Sequence, residues 1–125
     1  MPLKKPHHSI NLNPDMNITL SPSDKAVVAE VTGDITHANA GEFQTGLLSA
    51  LGSAGGLVLD FSGIGLLTSA GLRTLLLLYR EAQASGKHLV LAAVPDGVRD
   101  VMSVTGFWEQ FIAYGTVETA VASIS

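Results

Sequence analysis

Two adjacent hydroxyl side chains, Thr68 and Ser69, stand where an apolar run gives way to a helical pattern. The apolar residues that follow at the spacing of one helix face are Leu72, Leu75, Leu76 and Tyr79. They predict a helix over residues 69–85. Unpaired amides and the positive end of the dipole make a helix start tolerant of anions, so a phosphate on Ser69 would be accepted there while adding roughly −1.5 to −2 charges.

The simpler interpretation is that one of these hydroxyls caps the helix, which is worth about 1 kcal/mol. Serine and threonine are favoured at caps for structural reasons alone. The residue types by themselves therefore favour capping over a phosphorylation switch.

The sequence offers no convergent set of catalytic groups. Ser69 is not a nucleophile elbow, because the residue two places before it is Leu67 rather than glycine. Gly63 and Gly65 give only part of a Gly-x-Gly-x-x-Gly pattern, whose sixth position is Thr68. We therefore predict no enzyme activity, no catalytic residues and no cofactor. A catalytic protein would instead show a deep pocket with shifted ionisable groups.

No metal site is predicted. The chain has no cysteine, and no carboxylate spacing typical of a site accompanies His7, His8, His37 and His88. His37 lies just ahead of the first predicted helix, where it is a candidate contact residue beside Ser69. Packing or solvent exposure is the simpler interpretation of that histidine.

Composition restricts the classes of partner. With 125 residues the chain fits one domain. A net charge of −4 and scattered lysines and arginines disfavour nucleic-acid binding. Charged residues make up 14% of the chain, below the roughly 25% of an average domain, which leaves surface suited to a protein partner. No secretory signal is visible and no apolar stretch approaches the ~20 residues that span a bilayer, so we expect a cytoplasmic location.

The elements that must position Thr68 and Ser69 alternate between strand and helix. Residues 1–16 have no hydrophobic period and predict a flexible leader, followed by one domain over residues 17–125. Strands are predicted over residues 18–20, 26–31, 57–61, 88–94 and 111–113. The first two flank a turn at Pro22-Ser23-Asp24 and form a hairpin. The third is bounded by glycine and suits a central parallel strand covered on both faces.

Helices are predicted between the later strands and after the last one. They cover residues 38–54, ended by Gly55-Gly56; residues 69–85, ended by Gly86; a segment between Pro95 and Gly106; and a last segment with Val117, Ala120, Val121 and Ile124 on one side. Strands that alternate with helices after an opening hairpin imply an α/β fold. The predicted architecture is a mixed sheet with parallel core strands and about four helices.

Three segments, in order along the chain, resemble the STAS domain family. Residues 59–72 end in Thr-Ser-Ala-Gly-Leu, similar to the family's Asp-Ser-Ser/Thr-Gly-Leu between a strand and a helix. A second segment is Gly33-Asp34-Ile35-Thr36, followed by Ala38 and Ala40, which resembles the family's Gly-Glu-Leu-Asp segment before its first helix. The third consists of Val101, Val104, Gly106 and Phe107, which match the end of the family's third helix. Together they extend the resemblance across residues 16–125 and imply a STAS-like fold.

The resemblance implies a role among bacterial anti-sigma-factor antagonists, which regulate transcription by partner switching. In these proteins a serine at this helix start is phosphorylated by a partner kinase that is also the anti-sigma factor, and only the unphosphorylated form binds that kinase. The matching phosphoacceptor candidate is Ser69, with Thr68 as second choice. The predicted partner-binding residues are Thr36, His37, Thr68, Ser69, Ala70 and Gly71.

Two positions depart from the family pattern. The acidic residue before the family's serine is Thr68 here, and the aspartate that ends its Gly-Glu-Leu-Asp segment is Thr36. Two carboxylates that usually flank the phosphoacceptor are therefore missing. The alternative that this leaves open is a non-phosphorylated STAS module, which docks constitutively or holds a small ligand.

Overall fold

One mixed sheet of six strands organises the computed structural model, which describes residues 8–13, 16–23, 25–52 and 54–124, with side chains from residue 16 onward. The strands lie side by side in the order in which they occur along the chain. Their bounds are β1 His8–Asn13, β2 Met16–Ser23, β3 Ala26–Ile35, β4 Gly56–Leu67, β5 His88–Ala92 and β6 Ile112–Tyr114.

The sheet is antiparallel at its beginning and parallel from β3 onward. β1, β2 and β3 pair antiparallel, and the predicted hairpin is confirmed by β2 and β3, with Ser23 opposite Ala26 at its closed end. β3 to β6 pair parallel, and Ile35 lies opposite Leu67 at the carboxyl ends of β3 and β4. The segments that follow these two strands therefore leave the sheet at the same edge.

The described part of the chain contains four α-helices, which cover the two faces of the sheet unequally. They are α1 Ala40–Gly52, α2 Ser69–Ala84, α3 Asp96–Val104 and α4 Val117–Ala122, and a single 3-10 turn covers Trp108–Gln110. α1, α2 and α3 bury residues such as Phe43, Leu75 and Met102 in the larger core. α4 packs Ala120 against the opposite face, beside Val58. This is the predicted STAS-like α/β architecture, and none of these helices is long and apolar enough to cross a membrane.

The apolar run in β4 accounts for the position of that strand between the two cores. Leu57, Leu59 and Phe61 are fully buried toward α1 and α2, and Val58 is fully buried toward α4. Burial of a side chain of this size contributes about 1.5–3 kcal/mol. A strand that is apolar on both faces is stable only when both are covered, so the prediction of a central strand is confirmed.

Several element ends differ from the sequence prediction. β4 continues to Leu67, beyond the predicted strand over residues 57–61, because its last residues keep pairing with β3 across two register shifts. α1 covers Ala40–Gly52 rather than residues 38–54, and Gly56 begins β4 instead of ending the helix. His8–Asn13 form a strand within the predicted flexible leader. The remainder of that leader before Met16 lies outside the described residues.

Glycines do end two other helices as predicted. Gly86 follows α2 with a φ of 69° and Gly106 follows α3 with a φ of 82°. This left-handed region is strained for residues that carry a Cβ atom, which is why glycine is favoured just past a helix end.

Candidate functional site

The start of α2 is tied to the end of β3 through Thr68. The Thr68 hydroxyl donates a hydrogen bond of 2.9 Å to the carbonyl oxygen of Ile35 and accepts one of 3.4 Å from the Gly71 amide. The Thr68 amide donates to the same Ile35 oxygen at 3.1 Å. Thr68 has the extended backbone of an N-cap residue. The capping interpretation is therefore confirmed for Thr68.

Ser69 differs from Thr68 in its exposure and in its hydrogen bonding. It is the first residue of α2, and its side chain is exposed. Its hydroxyl has no hydrogen-bond partner among the described residues, whereas Thr68 is half-buried with its hydroxyl engaged in two hydrogen bonds. Spacing along the sequence does not separate the two hydroxyls. Their environments do.

Gly71 permits the close approach of α2 to the sheet. It is buried, and a Cβ atom at this position would lie 2.7 Å from Leu67 Cδ1 and 2.8 Å from Ile35 Cγ2. Only a residue without a side chain fits without displacing these neighbours. Gly71, predicted as a partner-binding residue, thus lies beneath the surface that carries Ser69, and Ala70 is half-buried at its border.

The turn between β3 and α1 holds the other predicted contact residues. Thr36 is half-buried, and its hydroxyl accepts a hydrogen bond of 3.2 Å from the Ala38 amide. His37 is exposed in the same turn. Because β3 and β4 end at the same edge of the sheet, this turn and the Thr68-Ser69 segment lie on either side of Ile35.

Asn39 fixes this turn, and the sequence analysis did not identify it. Its side chain is fully buried; Oδ1 accepts a hydrogen bond of 2.8 Å from the Thr36 amide and Nδ2 donates one of 2.9 Å to the carbonyl oxygen of Asp34. An asparagine immediately ahead of a helical pattern is typical of a capping or turn residue. That pattern was available in the sequence.

Asp34 and Leu66 also border the site and were not predicted as site residues. They lie opposite each other in the β3–β4 register, just after a register shift. The Asp34 carboxylate occupies the space over Gly65, since a Cβ atom there would lie 2.7 Å from Asp34 Oδ1. Leu66 is 50% exposed, which makes it an apolar contact candidate three residues before Ser69. Both features depend on the extension of β4 to Leu67, which lies beyond the predicted strand over residues 57–61.

Clefts elsewhere on the surface do not include the two hydroxyls. One of 280 Å³ lies between Arg99, Trp108 and Tyr114, and another of 340 Å³ lies where α1 and α2 end. Over the residues with described side chains, no three histidine or acidic side chains come together as ligands for a metal ion. The Ser69 environment is an exposed surface at a helix start, a geometry suited to contact with another protein.

Comparison with known proteins relates the chain to regulatory proteins. The family model for the Mlab, STAS domain matches residues 18–113. BtrV of Bordetella bronchiseptica, provisionally assigned as an anti-sigma factor antagonist, is 28% identical over 109 residues, which are 86% of this chain and 94% of BtrV.

Solved structures show the same fold. An anti-sigma factor antagonist from Mycobacterium paratuberculosis superposes with a TM-score of 0.79 at 24% identity, covering 90% of this chain and 97% of its own. SpoIIAA, an anti-sigma factor antagonist, superposes in its unphosphorylated form with a TM-score of 0.69 at 20% identity, and the match covers 83% of this chain and 92% of SpoIIAA. The phosphorylated form of Bacillus SpoIIAA superposes with a TM-score of 0.66 at 19% identity, and the match covers 85% of this chain and 97% of that protein.

Proposed function

Since the chain belongs to the STAS domain family, we propose that it acts as a cytoplasmic anti-sigma factor antagonist, controlled at Ser69. In this proposal the unphosphorylated protein binds an anti-sigma factor that is also a serine kinase. Phosphorylation of Ser69 by that kinase releases the complex. The chain itself is a binding partner and a substrate, and performs no catalysis.

The exposed, unpartnered hydroxyl of Ser69 carries this proposal. A phosphoacceptor must enter a kinase active site without breaking the fold, and Ser69 can do so because no described residue holds its hydroxyl. Thr68 would first have to give up its bond to Ile35, at a cost of about 1 kcal/mol or more. The first turn of α2 contains no acidic residue, so no carboxylate of the helix itself opposes a phosphate at its positive end.

The surroundings of Ser69 supply the rest of a partner surface. Leu66 provides exposed apolar area, and His37 an exposed polar ring from the neighbouring turn. A phosphate of roughly −1.5 to −2 charges in the middle of such a surface would face a desolvated interface, where an unpaired charge is costly. Release on phosphorylation follows from that cost.

Binding measurements on substituted protein test the proposal. The anti-sigma kinases of the protein's own host are titrated with wild type, Ser69→Ala and Ser69→Asp, with Ser103→Asp on the exposed side of α3 as the matched control. We expect Ser69→Ala and Ser103→Asp to bind like wild type and Ser69→Asp to bind about tenfold more weakly or worse. If Ser69→Asp binds as tightly as wild type, the switch is refuted.

A second candidate function is a STAS module that docks without modification. Its support is that Thr36 and Thr68, which replace the family's two flanking carboxylates, use their hydroxyls in the turn and in the cap. In that case Ser69→Ala and Ser69→Asp would have the same affinity for the partner.

A further inference from the structure

An exposed ridge runs along α2 from the phosphoacceptor candidate. Ser69, Arg73 and Leu77 follow one another at intervals of four residues, and all three are exposed. Residues at this spacing are neighbours on a helix surface, with Cβ atoms about 5–6 Å apart. Arg73 is therefore the next side chain along the ridge from Ser69.

Arg73 is a cation without an ionic partner in the described structure. The helix positions three and four residues away, where an intrahelical carboxylate would have to stand, are Ser69, Ala70, Leu76 and Leu77. No described residue forms an ion pair or a hydrogen bond with Arg73. The Cα–Cβ bonds of a helix tilt toward its N-terminus, so a guanidinium at position 73 can reach back to the Ser69 side chain.

We infer that Arg73 holds the phosphate of phosphorylated Ser69, an inference that rests on the proposed function of Ser69 as phosphoacceptor. The guanidinium presents a planar fork of N–H donors that matches two phosphate oxygens. The phosphoserine lies N-terminal to the cation by four residues, which is the favourable orientation for a helical ion pair. The unpaired amides of the first turn contribute from the other side.

The pair gives the switch a second component. In the unphosphorylated protein Arg73 is free to contact an acidic group of the partner. After phosphorylation the same guanidinium is neutralised within its own helix. The modification thus removes a cation from the partner surface while adding an anion to it.

Other charged groups near this end of α2 are few. Asp34 at the end of β3, His37 in the turn after it and Glu42 in the first turn of α1 are the ionisable residues on the neighbouring segments. Their contribution is common to all variants at position 73, so it cancels when those variants are compared.

The test uses protein with phosphoserine incorporated genetically at position 69, which needs neither kinase nor partner. The second pKa of the phosphate is measured by ³¹P NMR in otherwise wild-type protein and in Arg73→Gln, Arg73→Lys and Arg80→Gln. Arg80 is the matched control, since it is exposed on the same helix but about 16 Å along the axis, beyond the screening length at physiological salt.

We expect the phosphate pKa to be higher in Arg73→Gln by about 0.2–0.4, with Arg73→Lys between it and wild type and Arg80→Gln unchanged. The difference should shrink as salt is raised. Equal values for wild type and Arg73→Gln would overturn the inference. A chain that no host kinase phosphorylates would refute the proposed function while leaving this measurement intact, so the two failures are distinguishable.

Discussion

The Thr68 hydroxyl donates a hydrogen bond to the Ile35 carbonyl oxygen, 2.9 Å away and 33 residues earlier in the chain. The same hydroxyl accepts from the Gly71 amide inside α2. One side chain therefore caps the helix and attaches it to the strand beside it. Because Thr68 is occupied in this way, its neighbour Ser69 is held in an exposed position at the helix start.

Loss of the Thr68 hydroxyl should destabilise the fold more than loss of a cap alone. Thr68→Val removes both hydrogen bonds at nearly constant volume, and we expect the free energy of unfolding to fall by about 1–2 kcal/mol. Thr116→Val is the matched control, because the Thr116 hydroxyl caps α4 and, among the described residues, bonds only to Thr119, three residues along the chain. Urea denaturation compares the two; an equal or smaller loss for Thr68→Val would contradict the anchoring role.

Gly71 should not tolerate a methyl group. In Gly71→Ala the new Cβ atom meets Leu67 and Ile35 below 3.0 Å, so we expect a loss of about 1–3 kcal/mol in the free energy of unfolding. Gly41→Ala in the first turn of α1 is the control, since nothing lies within 4 Å of its Cβ position, and alanine there should be neutral or stabilising by up to about 1 kcal/mol. A lower melting temperature for Gly71→Ala together with an unchanged or higher one for Gly41→Ala would support the close packing of α2 on the sheet. A higher melting temperature for Gly71→Ala would refute it.

Removal of the Asn39 amide should loosen the turn that carries Thr36 and His37. Asn39→Ala leaves the Thr36 amide and the Asp34 carbonyl without their buried partner, which costs about 1–3 kcal/mol. Hydrogen exchange at the Thr36 amide should accelerate beyond the change in global stability. Unchanged protection of that amide in Asn39→Ala would show that the turn is held by other contacts.

The apolar contribution of Leu66 to partner binding can be separated from its contribution to stability. Leu66→Gln should leave the free energy of unfolding within about 0.5 kcal/mol of wild type, because the side chain is 50% exposed, yet weaken binding to the anti-sigma factor by about tenfold. Val104→Gln is the matched control at an exposed apolar site on α3, 87% exposed. Equal affinities for the two variants would remove Leu66 from the interface.

Hydrophobic periodicity was sufficient to predict most of the fold. On the predicted face of α2, Leu72 and Leu75 are buried and Leu76 and Tyr79 are half-buried, while Leu78, which was not assigned to that face, is fully buried. Leu57, Leu59 and Phe61 with Val58 define a strand that only a two-sided core accommodates. Patterns of this kind are local and strong, so they can be recognised without knowledge of the partner elements.

The ends of elements were harder to predict because long-range pairing determines them. Residues 63–67 have the glycines of a loop, but pairing with β3 through two register shifts keeps them in β4. β1 alternates Ile10 and Leu12 with polar residues over only six positions, too short a pattern to distinguish it from a leader, and it joins the sheet by pairing with β2. Asn39 stands where a turn or capping residue is expected, but spacing does not encode its bond to the Asp34 carbonyl oxygen or the position of the Asp34 carboxylate over Gly65.

The sequence identified the two hydroxyls at the start of α2 but not their separate roles. Thr68 and Ser69 are equivalent in the sequence as hydroxyls at a helix start. Burial and hydrogen bonding make the first a structural cap and leave the second exposed. Only the three-dimensional arrangement of Ile35 beside Thr68 separates them.

Mapping of phosphate after incubation with ATP and the anti-sigma kinases of the protein's own host tests the central claim most directly. Intact-mass and peptide mass spectrometry should find a single phosphate on Ser69, none on Thr68, and none on Ser69→Ala. A phosphate on Thr68, or no phosphate from a kinase that binds the protein detectably, would contradict the assignment of Ser69 as the regulated residue.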